Sequence, residues 1–218
     1  LSREHGLPNA VVAQAWLDRE DVTDVLAAHG ASPLVRSVRH KPNGPASPEE
    51  VGRVRTLMSS ERWRRGFALL APQGLHFDLQ TPWWNAEEAL RLALDFPATT
   101  IILNHLALPA DRSEEALLAW RRGLERMACA PNMRIKVSGF GRPDVPWTVE
   151  DNARIVREAI AIFGPERAMF ASNFPVDSLC VTFDTLYRGF KTIVADMEPN
   201  AQSALFAGTA IETYRLAV

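Results

Sequence analysis

Short apolar runs alternate along the whole chain with longer segments in which apolar residues recur at helical spacing. Apolar runs of this length, bounded by turn residues, are typical of buried strands. Six of them predict strands at residues 9–15, 34–38, 75–80, 99–103, 133–137 and 168–171. Helical patterns are predicted at 21–29, from 47, at 85–96, from 113, at 148–163, 183–197 and 201–216. Strands that alternate with helices in this way favour a parallel sheet.

Capping patterns set the expected starts of several helices. Ser47-Pro48-Glu49-Glu50 combines an N-cap residue, a proline at the first helical position and a capping-box glutamate. Asn85 with Glu88 has the same capping-box spacing, and Pro97 ends that helix. No strand is followed by a glycine-rich phosphate loop, so the nucleotide-binding versions of this class are disfavoured. The two architectures left open are a barrel and another kind of open sheet.

Composition narrows the class further. The 218 residues are 47% hydrophobic and 23% charged, which fits one globular domain. A formal charge of −2 gives no reason to expect nucleic acid or an anionic membrane as a partner. Cys129 and Cys180 are far apart in the sequence and are expected to be free thiols. No apolar run is long enough for a membrane span. These two observations predict a cytoplasmic location. Because the chain starts without methionine, it is expected to begin within the fold.

Polar residues lie at the C-terminal ends of five successive predicted strands. They are Arg39 and His40, Asp78 and Gln80, Asn104 and His105, Lys136 and Ser138, and Ser172 and Asn173. The carboxyl ends of parallel strands form the face where (β/α)8 barrels assemble their sites, so these side chains are expected to converge. Two alternatives remain open: Arg39, Asp78 and Lys136 could form a structural ion-pair network, and His105 could be a core histidine. Trp83, Trp84 and Trp147 lie in the loops and either line a pocket or pack internally.

The strand-end segments together resemble a known family. Residues 35–40, 74–80, 102–109, 134–140, 170–177 and 209–216 are similar, in the same order, to the amidohydrolase-related TIM-barrel hydrolases of the amidohydrolase 2 type. The branch that they resemble most contains sugar-lactone and pyrone-dicarboxylate lactonases. The resemblance implies an α/β fold, a (β/α)8 barrel with strands 3 to 8 in this chain and the first two absent. It also implies that residues 1–218 form a single barrel domain that is incomplete at its N-terminus.

The resemblance also implies a set of functional residues. The family's first strand carries a His-x-His pair, which has no counterpart here. His105 matches a later histidine of the family, and Asn173 stands where the lactonases usually have aspartate. One divalent metal, zinc or manganese, is therefore expected, with His105 as its one ligand candidate in this chain; a metal-free mechanism is the alternative. Asp177 is expected either to act as the base or to cap the following helix.

These residues favour a hydrolase in which water attacks a lactone or related ester carbonyl of a small anionic substrate. The predicted catalytic residues are His105, Asn173 and Asp177, with His105 polarising the carbonyl and the Asn173 amide orienting water or substrate. The predicted substrate-binding residues are Arg39, Asp78, Gln80, Lys136 and Ser172. The alternatives are a metal-dependent decarboxylase or hydratase of the same superfamily, a non-catalytic barrel that binds small acids, and an unrelated open α/β sheet. Self-association is left open.

Overall fold

A single parallel sheet organises the protein. The computed structural model describes residues 2–142 and 144–217. Its strands are β1 Val11–Gln14, β2 Val35–Arg39, β3 His76–Leu79, β4 Ile101–Leu103, β5 Met133–Val137 and β6 Ala168–Phe170. Each of the six lies within or within one residue of a predicted apolar run, and all neighbouring strands pair in parallel. The predicted α/β class is therefore confirmed.

Helices connect the strands and cover one side of the sheet. They are α1 Ser2–His5, α2 Val22–Gly30, α3 Glu61–Phe67, α4 Ala86–Asp95, α5 Glu114–Ala128, α6 Val149–Phe163, α7 Phe183–Ile193, α8 Pro199–Ser203 and α9 Thr209–Tyr214. A π-helical turn, Ala204–Gly208, joins α8 to α9. Single 3-10 turns occur at Pro48–Glu50, Leu57–Ser59, Ala71–Gln73, Trp83–Asn85, His105–Ala107, Pro165–Arg167 and Val176–Leu179.

The strands follow one another across the sheet in the order of the chain, from β1 to β6. Right-handed crossovers that always advance in one direction place their helices on the same face of a sheet. In agreement, α4 packs against α5, α5 against α6, and α6 against α7. Among the described residues β1 and β6 are the edges of the sheet. This strand order is that of a barrel wall, whereas the predicted total of eight strands is not tested by it.

The two faces of the sheet differ in chemistry. Alternate residues such as Phe77 and Leu79 face the helices and are fully buried in the main apolar core. The residue between them, Asp78, points to the opposite face, which we call the inner face. A smaller apolar cluster of Ile102, Met169 and Tyr214 lies apart from the main core, on that inner face. Side chains at the carboxyl ends of the strands therefore project from the inner face beside this cluster.

One predicted helix start and one predicted cap were wrong. The pattern Ser47-Pro48-Glu49-Glu50 forms only a single turn, without a side-chain cap, and the helix of this unit begins at Glu61. Helix α4 begins where predicted, but Asn85 does not cap it.

The side chains concerned bind elsewhere. The Asn85 amide donates to Thr81 Oγ1, while the Glu88 carboxylate accepts from the Thr56 hydroxyl at 2.7 Å. Tertiary hydrogen bonds thus replace the expected local capping box.

Helices α5 and α6 begin where predicted. Ser113 and Thr148 cap α5 and α6 by accepting from the backbone N–H three residues ahead. Cys129 and Cys180 are free thiols. Within residues 2–142 and 144–217 no helix has the length and apolar character that crossing a membrane requires.

Candidate active site at the carboxyl ends of the strands

His105 lies on an unusual backbone turn that follows β4. Four consecutive residues, His105, Leu106, Ala107 and Leu108, have φ between 54° and 59°. A left-handed conformation costs an L-residue about 1–2 kcal/mol because Cβ approaches the following carbonyl oxygen. Strain of this kind persists only where the surrounding structure fixes it, and it is concentrated at functional sites. We call this segment the left-handed turn.

The His105 ring is enclosed and neutral. Its Nδ1 lies 3.0 Å from the Ser138 hydroxyl at the end of β5. Burial, followed by the positive charges of Lys136, Arg39 and Lys41, lowers the pKa of His105 to about 4, against a smaller opposing effect of Asp78. At neutral pH the imidazole is therefore uncharged. When Ser138 donates to Nδ1, Nε2 carries the proton and is a hydrogen-bond donor.

Asp78 and Lys136 form an ion pair on the inner face. Lys136 Nζ lies 2.5 Å from Asp78 Oδ1, and the Asp78 side chain is 1% exposed. The Tyr214 hydroxyl donates to the same carboxylate at 3.1 and 3.2 Å, and the Lys136 ammonium lies over the Tyr214 ring, 5.0 Å from its centroid. Burial, then the charge of Asp78, raises the pKa of Tyr214 well above its usual value. The Asp78 carboxylate thus has two protein partners, and its predicted contact with substrate stays a prediction.

Arg39 does not join this ion pair. It pairs in register with Asp78 across β2 and β3, and its side chain is half-buried. Within residues 2–142 and 144–217 its guanidinium has no hydrogen bond or salt bridge, and the half-buried Gln80 amide has none either. The sequence left open an ion-pair network of Arg39, Asp78 and Lys136. In the structure Asp78 and Lys136 pair with each other, and Arg39 is available to bind an anion. A guanidinium that is partly shielded from water binds a carboxylate strongly.

The loop after β6 holds the remaining predicted residues. Asn173 has φ 55°, and its Nδ2 donates to Asp177 Oδ1 at 2.7 Å. Ser172 accepts from the backbone N–H of Phe174 at 3.2 Å. The cap of α7 is Thr182, so the alternative in which Asp177 caps that helix was wrong. Burial raises the pKa of the Asp177 carboxyl, partly offset by the hydrogen bonds from Asn173 and from the Gly139 backbone.

Gly139 connects His105 to the loop after β6. A Cβ at this position would lie 2.4 Å from His105 Nδ1, and the φ of Gly139 is +63°. Its backbone donates to Asp177. The close approach and the positive φ both require glycine here. Ser138 and Gly139 thus contact the histidine on one side and the carboxylate on the other.

The donor set does not match a metal centre. In the described part of the chain no group of three or more His, Cys, Asp or Glu side chains is arranged to hold a metal ion. Asn173 offers an amide where a carboxylate would bind a hard cation more tightly, and that amide already donates to Asp177. The residues described here therefore do not by themselves fit the predicted divalent metal.

Sequence reasoning missed Tyr214 and Gly139 as contributors to this region. Tyr214 is far from the strands in sequence, and only its place in the segment 209–216 pointed to it. The three loop tryptophans lie in two different environments. Trp83 and Trp84 line a cavity of about 510 Å³ beside Leu108, whereas Trp147 is buried in the core. Both alternatives for the loop tryptophans are thus realised in different places.

Two curated proteins illustrate the relatives of this chain. It is 39% identical over 217 residues to the uncharacterized protein y4mH of Sinorhizobium fredii, a match covering 99% of this chain and 73% of that protein. It is 27% identical over 175 residues to an L-fucono-1,5-lactonase of Burkholderia multivorans, a match covering 75% of this chain and 59% of the lactonase. The chain thus spans between about three fifths and three quarters of their lengths.

Solved structures show the same fold. An amidohydrolase from Burkholderia multivorans with bound zinc superposes with a TM-score of 0.84 at 22% identity, over 99% of this chain and 76% of that one. A "probable 2-pyrone-4,6-dicarboxylic acid hydrolase" from Acinetobacter baumannii with bound citric acid superposes with a TM-score of 0.66 at 15% identity, over 95% and 73%. The predicted kinship is confirmed by the family model described as Amidohydrolase, which matches residues 4–216, and the chain therefore belongs to the amidohydrolase family.

Proposed function

We propose that the protein is a hydrolase in which water attacks the carbonyl of a lactone or related ester, and that the substrate carries a negative charge. The observation that carries this proposal is that a neutral His105 imidazole lies close enough to Arg39 to be affected by its charge, while the Arg39 guanidinium has no hydrogen bond or salt bridge to any described residue. Arg39 would bind the anionic group, while His105 would donate from Nε2 to the carbonyl oxygen as negative charge develops there. Similarity to an L-fucono-1,5-lactonase supports the choice of lactones.

Asp177 is our proposal for the general base. A base works best when its pKa is closer to the working pH, and burial moves the pKa of Asp177 in that direction. Asn173 would hold the carboxylate in place through its 2.7 Å hydrogen bond to Oδ1. The role of Asn173 is then to orient the base rather than to replace it. This assignment gives the asparagine a function that does not require a carboxylate.

The remaining polar residues complete the proposed pocket. Gln80 and Ser172 would bind polar groups of the substrate, and Lys136, whose side chain is 18% exposed, would contribute positive charge from its pair with Asp78. We further infer that the six strands belong to a (β/α)8 barrel, as their sequential order favours.

Kinetics on paired lactones test this proposal. A panel of five- and six-membered sugar lactones, with and without a carboxylate, would be hydrolysed by the full chain and followed by a pH indicator. His105→Ala and Asp177→Asn are expected to lower kcat by about a hundredfold or more. Arg39→Ala should raise KM for the anionic lactones and leave KM for the neutral ones unchanged. His29→Ala is the matched control, because among the described residues the His29 ring hydrogen-bonds only to the Gln14 carbonyl oxygen.

The competing functions give different results in the same experiment. Equal rates for the wild type and His105→Ala would contradict the catalytic role of that histidine. A small-acid-binding barrel would show thermal stabilisation by lactones or carboxylates without turnover. A decarboxylase would release carbon dioxide from aromatic or dicarboxylic acids and would leave the lactones unchanged.

A further inference from the structure

The left-handed turn needs a partner that holds its shape. Its four residues all have side chains, and each would be more stable with negative φ. Its own hydrogen bonds are local: Ala107 N–H donates to the Asn104 carbonyl at 3.2 Å and Leu108 N–H to the His105 carbonyl at 2.8 Å. Local bonds of this kind also form in right-handed turns, so they do not select the left-handed form.

Trp120 supplies a contact from outside the turn. It lies on α5, is 1% exposed, and its indole Nε1–H donates to the Leu106 carbonyl at 2.6 Å. The Leu106 side chain is fully buried in the same core. Trp120 thus fixes the direction of the Leu106 carbonyl, which lies inside the strained segment directly after His105.

We propose that Trp120 is a positioning residue that orients the His105 imidazole by holding the left-handed turn. Loss of its indole N–H would free the Leu106 carbonyl, and the turn could then relax toward negative φ. The ring of His105 would withdraw from Ser138 and Gly139 toward water. The inference rests on the proposed function only in that His105 is assigned a catalytic role; the orientation of the ring can be measured without any substrate.

The test compares two buried tryptophans. Trp120→Phe keeps an aromatic ring in the core and removes the N–H. Trp63→Phe is the matched control, because Trp63 is also fully buried and its Nε1–H donates to His40 Nδ1 at 2.9 Å. Histidine ring protons would be followed by NMR across pH, with the His105 resonance assigned from its loss in His105→Gln.

In the wild type and in Trp63→Phe the His105 pKa should stay at about 4. In Trp120→Phe it should rise by one unit or more toward the 6.5 of a solvated histidine, which is a tenfold or larger change in proton affinity. Where turnover is measurable, kcat should fall at least tenfold in the same variant. A folded Trp120→Phe protein whose His105 pKa and kcat equal those of the wild type would overturn the proposal.

A double variant covers the case in which Trp120→Phe does not fold. Ala107→Gly added to it removes the steric cost of positive φ at the price of one methyl group. The double variant should fold and should return the His105 pKa toward about 4. A double variant that stays unfolded, or that keeps a raised His105 pKa, would contradict the positioning role. If the His105 pKa changes as expected but the wild type does not hydrolyse lactones, only the proposed function is refuted.

Discussion

The enclosure of His105 predicts how the stability of the protein depends on pH. In the unfolded chain its pKa is near 6.5, whereas in the folded protein it is about 4. Between these values the unfolded state binds a proton that the folded state does not, so the free energy of unfolding rises with pH. The stabilisation is fully present above about pH 6.5 and is lost as the pH falls to about 4. The shift corresponds to about 3 kcal/mol.

The assay is urea unfolding of the wild type and of His105→Gln at about pH 7 and about pH 4.5. Glutamine can keep a hydrogen bond to Ser138 but does not titrate. Burial also lowers the pKa of His40 and His76. Both remain in the variant, so the difference between the two proteins isolates His105. The wild type should lose more stability than the variant on acidification, by most of the 3 kcal/mol. Parallel losses in the two proteins would refute the inference that His105 is buried and neutral.

Two further substitutions test the surroundings of the site. Gly139→Ala should abolish catalysis and destabilise the fold, because the new Cβ would lie 2.4 Å from His105 Nδ1. Gly52→Ala is the control: Gly52 also has positive φ, but a Cβ there would have no heavy atom within 4 Å, so kcat should be unchanged. Equal kcat values in the two variants would contradict this. Tyr214→Phe should lower the free energy of unfolding by about 1–3 kcal/mol in urea titrations, because the buried Asp78 carboxylate loses a hydrogen bond. An unchanged free energy of unfolding would show that the Tyr214 hydroxyl does not stabilise the fold.

The spacing of apolar residues predicted most of the strands and helices, because these elements are determined by residues close together in the sequence. The run 133–137 is β5 itself, and Ser113 and Thr148 cap α5 and α6 as their sequence positions predict. The pattern at residues 47–50 failed for a physical reason. The Glu50 carboxylate accepts from the backbone N–H of Ala46 rather than from that of Ser47, and the Ser47 side chain makes no cap hydrogen bond. The turn therefore lacks the roughly 1 kcal/mol that a cap contributes.

The positions of the site residues were predictable to a smaller extent. Strand ends correctly brought Arg39, Asp78 and Lys136 to one face, but the sequence left open which of them pair, since that depends on distances across the sheet. The left-handed turn had no sequence signature at all. Asn104 is the kind of residue that starts turns, yet the four residues after it include no glycine.

The hydrogen bond between Tyr214 and Asp78 has a consequence for the order in which the protein folds. Neighbouring strands are joined by single crossovers, the longest of which runs from Arg39 to His76, whereas this bond connects residues 136 positions apart. Closing a longer loop costs more chain entropy, so pairing of adjacent strands is expected to precede it. An interaction that forms after the transition state affects the unfolding rate rather than the folding rate. The Tyr214 hydroxyl is therefore expected to slow unfolding and to leave the folding rate unchanged.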